Sequence, residues 1–163
     1  MTIKIVTIGV YGFDEEGFFQ ALQDAGVDTF CDVRWRRGLR GAQYAFANSQ
    51  RLQDRLAERG IRYLHRRDLA PPPAIRQQQA AADKANKIPR RQRAKLGDAF
   101  TTAYRHEVLD SFDPRSLLAD LPPGARVVAL FCVEGQPAAC HRSLLARKLQ
   151  DELNLEVEHI LPA

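Results

Sequence analysis

Val127-Val128-Ala129-Leu130-Phe131-Cys132-Val133 is an uninterrupted apolar run, rich in β-branched and aromatic residues, as a buried strand should be. Glu134-Gly135-Gln136-Pro137-Ala138-Ala139 breaks it, and Cys140-His141-Arg142-Ser143 leads into a helical pattern carried by Leu144, Leu145 and Leu149. The stretch therefore reads as strand, turn, helix. Cys140, His141 and Arg142 fall where the helix opens. Unpaired N–H groups and partial positive charge at such a point gather anions and favour thiolates.

Working outward, the same alternation fills the chain. Residues 3–8 read as a strand, 14–25 as a helix capped by Asp14, and 27–33 as a second strand. A helix over 49–59 closes at Gly60, and 61–65 is a third strand. Helices follow over 98–109 and 114–120, the latter opened by Asp113-Pro114. The strand 126–133, the helix 141–153 and a last strand over 155–160 complete the pattern. Residues 66–95 hold Pro71-Pro72-Pro73 and Pro89 with no strand signal, and read as a basic insertion, helical over 74–85. Apolar strands alternating with helices predict an α/β fold: a single domain over 1–163, with a mostly parallel sheet of about five strands and helices on both faces. This is a Rossmann-like, doubly wound arrangement. The strand order 3-2-1-4-5 is the expected one.

Composition sets limits. With 163 residues and 45% hydrophobic content, the chain is large enough for one sizeable core. Its longest apolar run is far shorter than a membrane span, and residues 3–8 enter a strand pattern at once, with no signal region ahead of them. No membrane association is expected. An odd count of three cysteines, Cys31 and Cys132 inside strand runs, suits reduced thiols in the cytoplasm. The net charge of +4 is uneven. Residues 66–95 carry nine Lys or Arg against Asp68 and Asp83, and Arg34-Trp35-Arg36-Arg37-Gly38-Leu39-Arg40 sets four arginines around a tryptophan. Such segments are ordinarily solvated faces. Their functional reading is nucleic-acid binding through Trp35, Arg36, Arg37 and Arg40 and through the 66–95 segment, with phosphate contacts and base stacking.

In parallel sheets, ligands bind beyond the carboxyl ends of the strands. That rule selects Tyr11 after strand one, Asp32 and Arg34 at the end of strand two, His65 at the end of strand three, and Cys132, Glu134 and Cys140-His141-Arg142 after strand four. Cys140 is a candidate nucleophile or a small packing residue. His141 is a general acid or base, or a ring that orients the turn by bonding a carbonyl. Arg142 binds an anion or pairs with Glu134 or Asp32; Asp32 and Arg34, two apart on one strand, form a salt bridge or face a ligand. The spacing is not that of a phosphatase loop, since Ala138 stands six residues after Cys132 where that loop needs arginine. A zinc set of Cys132, Cys140, His141 and His65 is disfavoured by the seven residues between the cysteines, and no metal or cofactor is assigned. Tyr11 and Tyr63 suit half-buried packing, and Gly9 with Gly12 is a weak phosphate-loop signal.

Thr7-Ile8-Gly9, Asp32-Val33-Arg34, Gly60-Ile61-Arg62-Tyr63-Leu64-His65 and Cys132-x-Glu134-x-x-Pro137-x-x-Cys140-His141-Arg142 together resemble the DUF488 family. The loop Arg37-Gly38-Leu39-Arg40-Gly41 with Tyr44-Ala45-Phe46-Ala47-Asn48 is similar to a subgroup of it. The resemblance implies the α/β fold and a functional strand-end edge, and assigns no reaction. The expected function is a small enzyme acting on a phosphate-bearing or nucleotide-like substrate. Cys140 and His141 are its reactive groups, Asp32 or Glu134 its carboxylate, and Arg34 and Arg142 its anion clamps, with Tyr11 and His65 lining the edge. The alternative is a non-catalytic nucleic-acid-binding module using residues 34–41 and 66–95.

Overall fold

The apolar run lies in the middle of the sheet. In the computed structural model, which describes residues 2–85, 87, 97–133 and 140–162, β4 (Val127–Phe131) pairs in parallel with β1 (Lys4–Ile8) on one side and β2 (Thr29–Asp32) on the other. β3 (Arg62–His65) adds outside β2, and β5 (Glu156–Ile160) adds outside β1. All five strands are parallel, in the order β3-β2-β4-β1-β5.

This corrects the expected order, in which strand one stood between two and four. Burial does not choose between the two orders, since β1 and β4 are both wholly buried beyond their first residue; the neighbour of the edge strand does. β1 begins with Lys4, which pairs with Glu158 of β5 at 2.6 Å, a contact suited to a strand beside the edge. β5, with Glu156, Glu158 and His159 exposed, is the edge strand.

The helices divide by the direction of their crossovers. β1→β2 and β2→β3 move one way, placing α1 (Glu15–Asp24) and α2 (Ser49–Glu58) on one face. The connections after β3 and β4 move the other way. They put α3 (Pro73–Ala85), α4 (Asp98–Tyr104), α5 (Pro114–Asp120) and α6 (His141–Leu153) on the opposite face. α1 starts at Asp14, whose carboxylate accepts from Gly17 N–H at 2.7 Å. It buries Phe18 against Phe30 and Phe131, with ring centroids 6.3 and 5.6 Å apart. Truncating a buried phenylalanine of this kind costs about 3–5 kcal/mol. On the other face α6 buries Leu145, Ala146 and Leu149.

Asp113 caps α5 with Pro114 at its first position, as the sequence suggests. α4 continues into a π-helical turn, Arg105–Leu109. The basic segment opens with a 3₁₀ turn, Arg67–Leu69, followed by α3; its residues 86 and 88–95 lie outside the described residues. Among the described residues, no helix is long and apolar enough to cross a membrane.

Candidate functional site at the carboxyl edge of the sheet

Register aligns the strand exits. Ile8 stands opposite Phe131 and Ile160, and Asp32 opposite Phe131 and His65, so all five strands end in one row. With β4 between β1 and β2, the connection after β2 leaves toward β3 and that after β4 leaves toward β5. The switch point is therefore between β2 and β4, and not between strands one and four as the expected order required. Val33 continues the pairing beyond β2, its N–H donating to the Phe131 carbonyl at 3.1 Å. On the β1 side of β4, Val10 and Tyr11 both donate to the Val133 carbonyl, at 2.9 and 3.0 Å.

Side chains alternate at this edge, so two polar clusters form on opposite faces. On the α1 side, Asp32 is fully buried. Its Oδ1 accepts from Arg34 Nε at 2.8 Å and from Arg34 backbone N–H at 3.2 Å. Its Oδ2 accepts from Arg34 Nη2 at 2.8 Å and from the Tyr63 hydroxyl at 2.7 Å. The Arg34 guanidinium lies over the Phe131 ring, 4.7 Å from its centroid. Burial, then the Asp32 charge, push the Tyr63 phenol up, while a hydrogen bond with Arg37 opposes them. His65 donates through Nε2 to the Arg34 carbonyl at 2.7 Å. Asp32 and Arg34 thus take the ion-pair alternative offered by their spacing.

On the α6 side, Cys132 leaves β4 while Cys140 occupies the N-cap of α6, and His141 is the first residue of that helix. All three are buried. Cys132 Sγ is 3.4 Å from His141 Nδ1, and Cys140 Sγ is 3.7 Å from the same nitrogen. The other ring nitrogen, Nε2, is 2.8 Å from the Val33 carbonyl. A carbonyl only accepts, so Nε2 carries a proton and Nδ1 is turned to the two sulfurs. Tyr104 packs edge-on against the imidazole, ring centroids 5.3 Å apart, with its hydroxyl donating to the Leu69 carbonyl at 2.5 Å.

The electrostatics of the two thiols that titrate abnormally differ in sign. Burial pushes the Cys140 thiol up. The contact with Cys132, the His141 ring and the Arg142 guanidinium outweigh it and hold the thiol well below its ordinary range. Burial, with the Asp32 charge next, pushes the Cys31 thiol up, as expected of an inert core cysteine. Arg142 is completely buried, and its charge, after burial, lowers the His159 pKa. The three cysteines are all thiols rather than disulfides.

The remaining sequence candidates are distributed along the edge. Tyr11 is buried with its ring 5.1 Å from that of Tyr44. The nearby Gly12 adopts φ +96°, and a Cβ there would meet Pro162 Cγ at 2.7 Å, so its glycine is accounted for by backbone and packing. Arg36 and Arg40 are exposed, and Arg37 and Trp35 half-buried. One face of Trp35 is covered by the Arg67 guanidinium, 4.1 Å from the ring centroid. Arg66, at the head of the basic segment, pairs with Asp68 and Asp120 at 2.9 Å each. Glu134 lies outside the described residues.

Sequence reasoning missed the Val33 carbonyl and Tyr104 as neighbours of His141, and it weighed Cys132, Cys140 and His141 as one set only together with His65, a set it disfavoured. Among the described residues the potential ligand atoms of Cys132, Cys140 and His141 all lie within 4.8 Å of one another, and His65 is not in that group.

No curated protein matches the chain. The family described as domain of unknown function DUF488 matches residues 15–149, from the start of α1 through Asp32, Arg34 and His65 to Cys140, His141 and Arg142; the chain belongs to the DUF488 family.

Proposed function

We propose that the protein is an enzyme whose reactive centre is the Cys132–Cys140–His141 cluster, acting on a phosphate-bearing or nucleotide-like substrate at the carboxyl edge. The observation that carries this reading is the cluster itself. Cys132 Sγ from the end of β4 meets the Cys140 sulfur and His141 imidazole from the start of α6, within 3.4 and 3.7 Å of Nδ1, beside the β2/β4 switch point. Arg142 supplies a buried positive charge that acts on Cys140, and Arg36, Arg37 and Arg40 lie in the loop that leaves β2 at this edge. Such a rim attracts anionic substrates from solution. The Asp32–Arg34 pair is the support: it fixes the backbone that carries the Val33 carbonyl, and that carbonyl fixes the imidazole.

A panel of inorganic phosphate, nucleoside mono-, di- and triphosphates and sugar phosphates tests the reading by thermal shift, followed by product analysis for each compound that stabilises. A stabilising compound should be converted by the wild-type protein and left intact by Cys140→Ser and His141→Gln, with its thermal shift retained. Turnover surviving in both variants, or no stabilisation by any compound, would sink it.

A second reading is supported by the exposure of Arg36 and Arg40 beside half-buried Arg37: a nucleic acid as the phosphate-bearing partner. The Arg67 guanidinium over Trp35 closes that face of the indole to a stacking base, so base stacking there would have to use the other face.

A further inference from the structure

We infer that Cys132, Cys140 and His141 hold a thiophilic divalent cation, of which Zn²⁺ fits best, with a vertex left for water or for a substrate oxygen; this rests on the reading of the cluster as the reactive centre. The donor set comes first. Two cysteine sulfurs and an imidazole nitrogen are the ligands that select Zn²⁺ over hard cations such as Mg²⁺ or Ca²⁺. Geometry comes second. With Zn–S at about 2.3 Å and Zn–N at about 2.0–2.1 Å, a tetrahedral centre separates sulfur from nitrogen by about 3.6 Å. The observed separations, 3.4 Å from Cys132 and 3.7 Å from Cys140, bracket that edge.

The imidazole is also prepared for the role. Metal-ligating histidines hand their second N–H to a carbonyl or carboxylate, which fixes the tautomer and aims the ring. His141 does this through Nε2 to Val33 O at 2.8 Å, and Tyr104 blocks the ring from its side. Nδ1 is thereby directed at the two sulfurs, where a proton or a cation must sit. Burial adds a third argument. Two thiolates neutralise a divalent cation, so occupying the site leaves no uncompensated charge in the interior from the ligands and ion themselves. Loading displaces the thiol protons and any proton on Nδ1 into solvent.

The seven-residue spacing is compatible with this. The cysteines come from the end of β4 and the N-cap of α6, elements already brought together by the sheet, so no short hook is needed. Among the described residues the site has three protein ligands; three with one vertex for a small molecule is the composition of catalytic zinc sites, in contrast to the closed four-ligand structural kind.

The test uses the full-length protein. Metal analysis of protein purified without chelator should find roughly one Zn²⁺ per chain, as a single three-ligand site requires. After chelation, titration with Co²⁺ should give thiolate-to-cobalt charge transfer in the near ultraviolet and the visible bands of a tetrahedral ion. Cys132→Ser, Cys140→Ser and His141→Gln should each weaken Co²⁺ binding by more than about 100-fold, beyond the effect of losing a supporting partner. Cys31→Ala should leave the spectrum unchanged. If the variants do not fold, the wild-type titration decides. Folded wild-type protein showing no cobalt–thiolate band overturns the proposal, as does a band that persists in Cys140→Ser. The two readings separate cleanly. Turnover of a phosphate compound by metal-free protein would overturn the metal site and keep the enzyme. A loaded site in a protein that no phosphate compound stabilises would keep the metal and remove that substrate class.

Discussion

Asp32→Asn is the perturbation that most directly probes how the edge is held. The carboxylate receives Arg34 Nε and backbone N–H on Oδ1, and Arg34 Nη2 and the Tyr63 hydroxyl on Oδ2. Asparagine keeps one accepting oxygen and puts an NH₂ donor where the other was, facing donors. The charge that compensates Arg34 disappears, in a place where the arginine side chain is 2% exposed and cannot be rehydrated without opening the sheet edge. Removing one partner of a buried pair costs about 3–5 kcal/mol. For a chain of this length each kcal/mol lowers Tm by about 2–4 °C, so the middle of that range is a fall of about 8–16 °C. Urea unfolding followed by tryptophan fluorescence and calorimetry would measure it. Arg51→Gln is the control: it breaks a pair with Glu15 whose arginine is 53% exposed, and should cost about 0.2–1 kcal/mol. Asp32→Leu combined with Arg34→Met should recover much of the loss, because no charge is then left buried alone. A cost for Asp32→Asn no larger than that of the control would refute the argument.

Other outcomes follow from the same geometry. In native protein treated with chelator, Cys132 and Cys140 should become more reactive to alkylation than before, while Cys31, fully buried with its thiol pushed up, should label only on unfolding; peptide-level mass spectrometry over time reads both, and equal rates for all three would refute the distinction. His159 is held below its ordinary pKa by partial burial and by the Arg142 charge, so the unfolded chain binds its proton more readily than the native one. The sign makes its contribution complete above the unfolded value, about 6.5, and lost as pH falls from there through the lower native value. His159→Gln should flatten the stability profile in that window, and an unchanged slope would remove His159 as the cause. If nucleic acid binds, Arg36→Ala with Arg40→Ala should reduce the slope of log K against log salt by about 0.7–0.9 per lost contact, while leaving Tm nearly unchanged. An unchanged slope would return both arginines to a solvated loop.

The fold was legible where one segment carries its own signal, and illegible where segments compete. The β4 run, the Asp14 and Asp113 caps and the apolar spacing of α1 and α6 each follow from local chemistry, and each element forms where that chemistry places it. Strand order depends on comparing strands. Lys4 in β1 and the alternating charges of Glu156 and Glu158 in β5 carried the needed signal, but only as a pair: Lys4 sits beside Glu158 because β1 is next to the edge, and that frees the centre for β4. The cluster was half legible. Cys140, His141 and Arg142 stand together in sequence, whereas Cys132 was hidden by its place at the end of an apolar run. The partner of His141 is a backbone carbonyl, which every residue possesses and no side-chain pattern announces.

That carbonyl explains why the strand order matters for chemistry. Were β1 between β2 and β4, the exits of β2 and β4 would be two strand spacings apart, about 9–10 Å, and His141 at the start of α6 would find the backbone of β1 instead. With β4 beside β2, Val33 lies next to Cys132, and its carbonyl is within reach of the ring that both cysteines contact. The next carbonyl along, Arg34 O, is held by His65 from the neighbouring strand, and the Arg34 side chain is locked by Asp32. Two consecutive peptide groups at the β2 exit therefore accept a histidine each, one reached from α6 and one from β3. The buried ion pair on one face fixes the same short piece of backbone that sets the tautomer on the other. A buried, desolvated pair is a costly way to gain stability, and apolar residues of similar volume would serve a plain core as well. Its position, one residue from the acceptor of His141, gives it a different use: it holds a carbonyl still enough to keep Nδ1 aimed at two sulfurs.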